Sequence, residues 1–190
     1  MKKTLLFVAG VAIAAPSIAV ADNGSPYIVV RGGITNTDID AYMPSMQGVS
    51  HKKRDKAFSV LGGGLYRIND GFSVGFEAGY GYLGEYTSKG HGQKITYTGS
   101  SAEFALMGVA HANDSLAFFL RGGFNLWNGK AKTSGNLIGG ISESDNGTSG
   151  LYGGGALIGS GPTKFRVGVD VQKVDEVEVG TYTVGVQHSF

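Results

Sequence analysis

The chain has 190 residues, 33 of them glycine and none cysteine, with 16 basic against 15 acidic side chains. This length suits one domain, the lack of thiols excludes disulfides and thiolate metal sites, and the near-zero net charge offers no argument for a nucleic-acid partner. Glycine-rich chains are often disordered, but disordered segments are poor in aromatic and β-branched residues, and Tyr, Phe and Val recur throughout this one.

Chain order begins with Lys2 and Lys3, an apolar stretch from Leu5 to Ala15, Pro16, and the small triplet Ala19-Val20-Ala21. These are the three parts of a secretory signal peptide, and Pro16 interrupts the run well short of the roughly 20 apolar residues of a membrane helix. Residues 1–21 are therefore expected to be removed, leaving 22–190 as the mature domain.

Tyr27 to Asp38 and Ala57 to Arg67 read as strands, joined by a long polar stretch that ends in His51-Lys52-Lys53-Arg54. That basic run suits an anion such as lipopolysaccharide phosphate, or equally a solvated rim. From Phe72 to Tyr86 the alternation is clear. Phe72, Val74, Phe76, Ala78, Tyr80, Tyr82 and Tyr86 share one face, and Ser73, Gly75, Glu77, Gly79, Gly81, Leu83 and Glu85 the other. About 9 to 11 tilted strand residues cross a bilayer, and this segment is long enough.

Thr96 to His111 is a weaker copy. Leu116, Phe118, Leu120, Phe124 and Leu126 then alternate with Phe119, Arg121, Gly123, Asn125 and Trp127. Gly150 to Ser160 follows, then Phe165 to Val171 alternating with Arg166, Gly168, Asp170 and Gln172, and Tyr182 to Phe190 alternating with Thr181, Thr183, Gly185, Gln187 and Ser189. Ile68 to Gly71, Ala112 to Ser115 and Gly159 to Thr163 are short turns, whereas Ile39 to Asp55, Thr87 to Ile95 and Thr133 to Ser149 read as long loops and Asp175 to Val179 as a short one.

Eight strands with short turns on one rim and longer loops on the other make an all-β, antiparallel, up-and-down transmembrane β-barrel. A soluble barrel would bury the bulky face and leave glycine-rich strips outside, where Lys and Glu are normally found. With the apolar faces turned to lipid, Arg31, Glu77, Glu103, Arg121, Arg166 and Asp170 point inward. Three charges of each sign in so narrow a space imply a hydrogen-bonded ion network that closes the lumen.

The segments Phe76 to Gly84, Leu120-Arg121-Gly122-Gly123 with Trp127, and Arg166 to Gln172 resemble the third, fifth and seventh strands of the OmpA family's transmembrane domain. The resemblance spans the mature chain and is to the stand-alone OmpA, OmpX and opacity-type barrels, with no cell-wall-binding domain expected after Phe190. It implies that Glu77 and Arg166 are gate residues. A further inward Lys and Glu of that family fall on Met107 and Leu157, both uncharged here. It also implies that Thr183, Gly185 and the terminal Phe190 are an assembly signal read by the barrel-assembly machinery.

His51, His91, His111 and His188 fall on opposite rims and do not converge, so neither a metal site nor a catalytic triad is expected. Only Ser88 to His91 offers the groups a lipid A-modifying enzyme would need. The expected protein is a structural and surface-interaction barrel of the Gram-negative outer membrane, without cofactors, serving envelope integrity or adhesion. A small gated pore is the alternative, and lipid A modification the less favoured one. Outer-membrane lipids, lipopolysaccharide and a host or cell-surface ligand are the expected partners, with no nucleic acid and a monomeric state.

Overall fold

The computed structural model describes residues 24–37, 50–51, 54–90, 93–135, 141–174 and 177–190. The expected signal peptide and Lys52 and Lys53 lie outside the described residues. Eight long strands are present: β1 (Gly24–Thr37), β2 (Arg54–Asn69), β3 (Phe72–Gly90), β4 (Gln93–Asn113), β5 (Leu116–Gly135), β6 (Ile141–Ile158), β7 (Thr163–Val174) and β8 (Val177–Ser189). A two-residue strand, Ser50–His51, pairs with Lys89 and Ser88 on β3.

Every long strand is antiparallel to its neighbours. β1 pairs with both β2 and β8, and β3 with β4, so the ladder runs round without an edge through its middle. The outward face carries Phe58, Leu106, Leu120, Phe165 and Val184, all more than 60% exposed, a surface stable only against hydrocarbon.

Close approach between strands explains part of the glycine content. A Cβ on Gly123 would collide with the Phe104 carbonyl oxygen, whereas one on its neighbour Gly122 would meet nothing within 4 Å. The first points inward across a tight ladder and the second toward lipid.

Three features differ from the sequence expectations. First, β3 carries a bulge between Tyr82 and Gly84, with Gly84 at φ 106°. One extra residue turns every later side chain to the opposite face. Tyr86, expected outside, is therefore buried, its hydroxyl donating to the Leu83 carbonyl at 2.9 Å, while Glu85 turns outward. Second, most of the two stretches Thr87 to Ile95 and Thr133 to Ser149, read as loops, is strand. Once β3–β4 and β5–β6 are in register inside the membrane, their ladders continue into water, where Ser, Thr and Lys suit both faces. Third, the inward set is not polar throughout. Tyr27, Val29, Leu61, Met107, Val109, Ala117, Phe119 and Leu157 form an apolar cluster inside the barrel on the short-turn side.

Gly123→Val should abolish the heat-modifiable folded band on a gel, while Gly122→Val should stay within about 0.5 kcal/mol of the parent. Equal behaviour of the two would contradict the assigned faces.

Candidate functional site in the lumen and at the rims

Each of the six predicted lumen charges lies on a strand whose alternation aims it at the axis, and the structure brings all six together. Arg31 (β1) donates to Glu103 (β4) at 3.0 Å, to Asp170 (β7), and through Nε to the Ser59 hydroxyl at 2.7 Å. Arg121 (β5) reaches Glu77 (β3) at 2.9 Å and also Glu103, and its Nε lies 2.9 Å from Asp170 Oδ1 in an ionic contact without hydrogen-bond alignment. Arg166 (β7) grips both oxygens of Glu77, one of them at 3.0 Å. Each carboxylate thus touches two guanidiniums and no charge is left alone, as burial of ions requires.

The groups beside this network include several that sequence reasoning missed. The Tyr27 hydroxyl donates to Glu77 at 3.0 Å, the Phe119 ring lies 4.2 Å beneath the Arg166 guanidinium, and Arg166 donates to Gln187 at 3.4 Å. Gln187 was legible as an inward residue. Its partner was not, because alternation gives a face and no height relative to other strands. Met107 and Leu157 do point inward, and both join the apolar cluster below the network. Above the network, Arg31, Glu103 and Asp170 help line a cavity of about 20 Å³, room for about one water molecule.

At the turn rim, Ser73 and His111 lie 2.9 Å apart, and Thr163 and His188 likewise. The His188 ring meets Phe190 edge-on at 5.0 Å. Thr183 points inward and is buried, Gly185 packs against the Val30 carbonyl and Arg31, and the exposed Phe190 is held by its N–H on the Pro26 carbonyl at 2.9 Å. His91 lies outside the described residues, as does the side chain of His51. No group of metal-ligating side chains forms among the described residues.

On the opposite rim the long strands present an outward basic face. Lys89 sits across from Lys94, and Lys130 and Lys132 on β5 face Thr98 and Thr96 on β4. All four lysines are exposed, and none has an acidic partner among the described residues. Arg54, the described member of the predicted basic run, is exposed at the start of β2. The lysine face escaped sequence reasoning because Lys89 and Lys94 fall in a stretch read as loop, where side-chain direction has no period.

Glu77→Ala should cost about 3–5 kcal/mol, since it strands Arg121 and Arg166 without their shared carboxylate. Replacing both Glu77 and Arg166 with Met should cost less than the single change. Urea unfolding of protein folded into vesicles measures both.

A family model of the OmpA-like transmembrane domain matches residues 22–159. Among solved structures the chain is similar to Ail, the attachment invasion locus protein of Yersinia pestis, at 20% identity and TM-score 0.57, covering 90% of this chain and 100% of that one. It is also similar to Neisserial surface protein A (18% identity, TM-score 0.52, 89% and 100% covered) and to OprG of Pseudomonas aeruginosa (12%, 0.51, 88% and 97%). No curated protein sequence matches it. With an apolar belt facing lipid, a charged lumen and this family match, the chain belongs to the OmpA-like transmembrane domain family and is a β-barrel of the Gram-negative outer membrane.

Proposed function

We propose that this protein is a surface-interaction barrel, serving adhesion or envelope integrity, and that its lumen is a seal and not a conduit. The observation that carries the reading is the way the chain is spent. Its charges close the middle of the barrel, while β3 to β6 continue far past the length a membrane needs. With 21 residues in β4 against 12 in β7, roughly 9 residues, about 30 Å of strand, separate the two in length.

The ligand chemistry this exposed part favours is anionic. Lys89, Lys94, Lys130 and Lys132 share its outer face, with Arg54 exposed at the start of β2 and Lys52-Lys53 preceding it in the sequence as further cations. Clustered cations attract dense anions over a distance of about 8 Å at physiological salt. Ail of Yersinia pestis has been crystallised with the heparin analogue sucrose octasulfate, and a sulfated or phosphorylated polymer is the partner we assign to this face. In the same proposal residues 1–21 are removed on export, Thr183, Gly185 and Phe190 form the signal for barrel assembly, and the folded protein is a monomer.

A gated pore is the second reading, favoured by the cavity above the network, and it would assign the gate to Glu77 and Arg166. Planar bilayers decide between the two. The refolded protein should open no channels, and regular conductance steps would return the pore. Lys130→Glu with Lys132→Glu should weaken retention on immobilised heparin at least tenfold at low salt. Unchanged retention would remove the anionic ligand from this face.

A further inference from the structure

At the turn rim, which faces the periplasm in barrels of this class, the lumen does not end on its apolar cluster. One strand step beyond that cluster, three strands turn a basic side chain toward the axis. Arg67 follows the inward Leu61 and Leu65 on β2, His111 follows Met107 and Val109 on β4, and Lys164 precedes the buried Arg166 on β7. Arg67 is exposed, and His111 and Lys164 are half-buried. Ser73, buried on β3, completes the set: it is paired with Arg67 in the β2–β3 ladder and lies 2.9 Å from His111 Nε2. The His111 main chain is pinned as well, its N–H donating to the Gly71 carbonyl at 2.9 Å.

Arg67 and Lys164 stand on separate parts of the ring, yet both lie near enough for their charges to act on the His111 ring. No acid answers them. Asp70 and Asp114 are exposed in the turns that flank His111, and the chain terminus at Phe190 is held beside Pro26 on β1. None of these pairs with Arg67, His111 or Lys164, and among the described residues the two cations have no ionic partner. Two permanent charges over a floor of Val109, Ala117, Phe119 and Leu157 make an electropositive cup, because low-dielectric walls focus a field that water would screen. The Ser73–His111 pair adds a donor in either tautomer. With the proton on Nε2, the ring donates to Ser73 and the hydroxyl proton is free; with it on Nδ1, Ser73 donates to Nε2 and the Nδ1–H is free. Protonating the ring supplies both donors and a third positive charge.

We propose that the turn-side mouth of the barrel binds a phosphate group, held by Arg67, Lys164 and the Ser73–His111 pair, and that protonation of His111 tightens the hold. A guanidinium fork, an ammonium point charge and a hydroxyl are the groups that suit phosphate oxygens. A soluble phosphate and the headgroup of an inner-leaflet phospholipid share this chemistry. The site lies at the opposite membrane face from the lysine-bearing strands, and it stands independently of the surface-interaction reading.

The test uses the full barrel in phosphatidylcholine nanodiscs, with the His111 ring followed by NMR and its signals assigned by their loss in His111→Asn. Inorganic phosphate replacing chloride at equal ionic strength should shift those signals saturably and raise the apparent pKa of the ring. Arg67→Gln with Lys164→Gln should weaken that response at least tenfold while the band stays heat-modifiable. Sulfate keeps its charge between about pH 8 and about pH 5, a range that spans histidine titration. Its binding, measured by calorimetry, should tighten at least threefold on that descent in the parent and stay level in His111→Asn; a level parent overturns the role given to His111. Nanodiscs containing phosphatidylglycerol separate the two sources. If that lipid alone shifts the signals and phosphate then adds nothing, the occupant is a headgroup, and if only phosphate shifts them it is soluble; either result sustains the proposal. An equal response to chloride, or no response to phosphate and phosphatidylglycerol alike, overturns it. If the double variant does not fold, the comparison of phosphate with chloride on the parent decides.

Discussion

In hydrocarbon a backbone N–H or C=O without a partner costs several kcal/mol, and no water is present to supply one. Everything in this molecule follows from that constraint. It forces the sheet to close through β1 and β8, and it excludes any other use of the membrane-level ladder. It also sorts side chains by parity alone, because a closed ribbon has only an inside and an outside. Leu106 and Leu120 meet lipid, while Met107 and Arg121, one residue along, meet the axis.

Closure with eight strands creates a second problem, since the space inside must be filled. The chain fills it in two layers. Phe119, Leu157 and their neighbours make an apolar plug on the short-turn side, and the six charges rest above it with Arg166 over the Phe119 ring. The plug excludes water from below, which strengthens each ionic contact above it. It also raises the penalty for breaking one. Replacing a whole ion pair by apolar groups is often harmless in buried sites, so the network's worth lies in holding the five strands that carry it, β1, β3, β4, β5 and β7, at one height as much as in stability.

Much of this was legible in the sequence. Strand alternation has period two, so faces could be read wherever a bulky residue followed a small one, as from Phe72 to Tyr82 and from Phe165 to Gln172. That gave the six lumen charges and their balance. What was not legible depends on neighbours. Inter-strand height decides that Tyr27 reaches Glu77 and that Ser59 meets Arg31, and alternation carries no such information. A single glycine at φ 106° moved Tyr86 to the other face, and glycine is too common here for one copy to announce a bulge. The extracellular ladders were hidden for the opposite reason. In water neither face must be apolar, so Ser142 to Thr148 look like loop although they are strand.

The freedom gained above the membrane is where we place the proposed function. Within the bilayer each position answers to lipid or to a narrow lumen. Above it, β3 to β6 carry Lys89, Lys94, Lys130 and Lys132 outward beside Glu85, and Glu143 and Asp145 inward. The central claim remains one of orientation. The natural chain has no cysteine, so single cysteines at Leu120, Phe119 and Asn125 can each carry a spin label without interference. Power saturation in vesicles should give the Leu120 label high oxygen and low nickel accessibility, as in lipid, and should find Phe119 and Asn125 shielded from oxygen or unreactive to the label. A label at Phe119 or Asn125 in contact with lipid, and Leu120 shielded, would turn the barrel inside out and contradict the account.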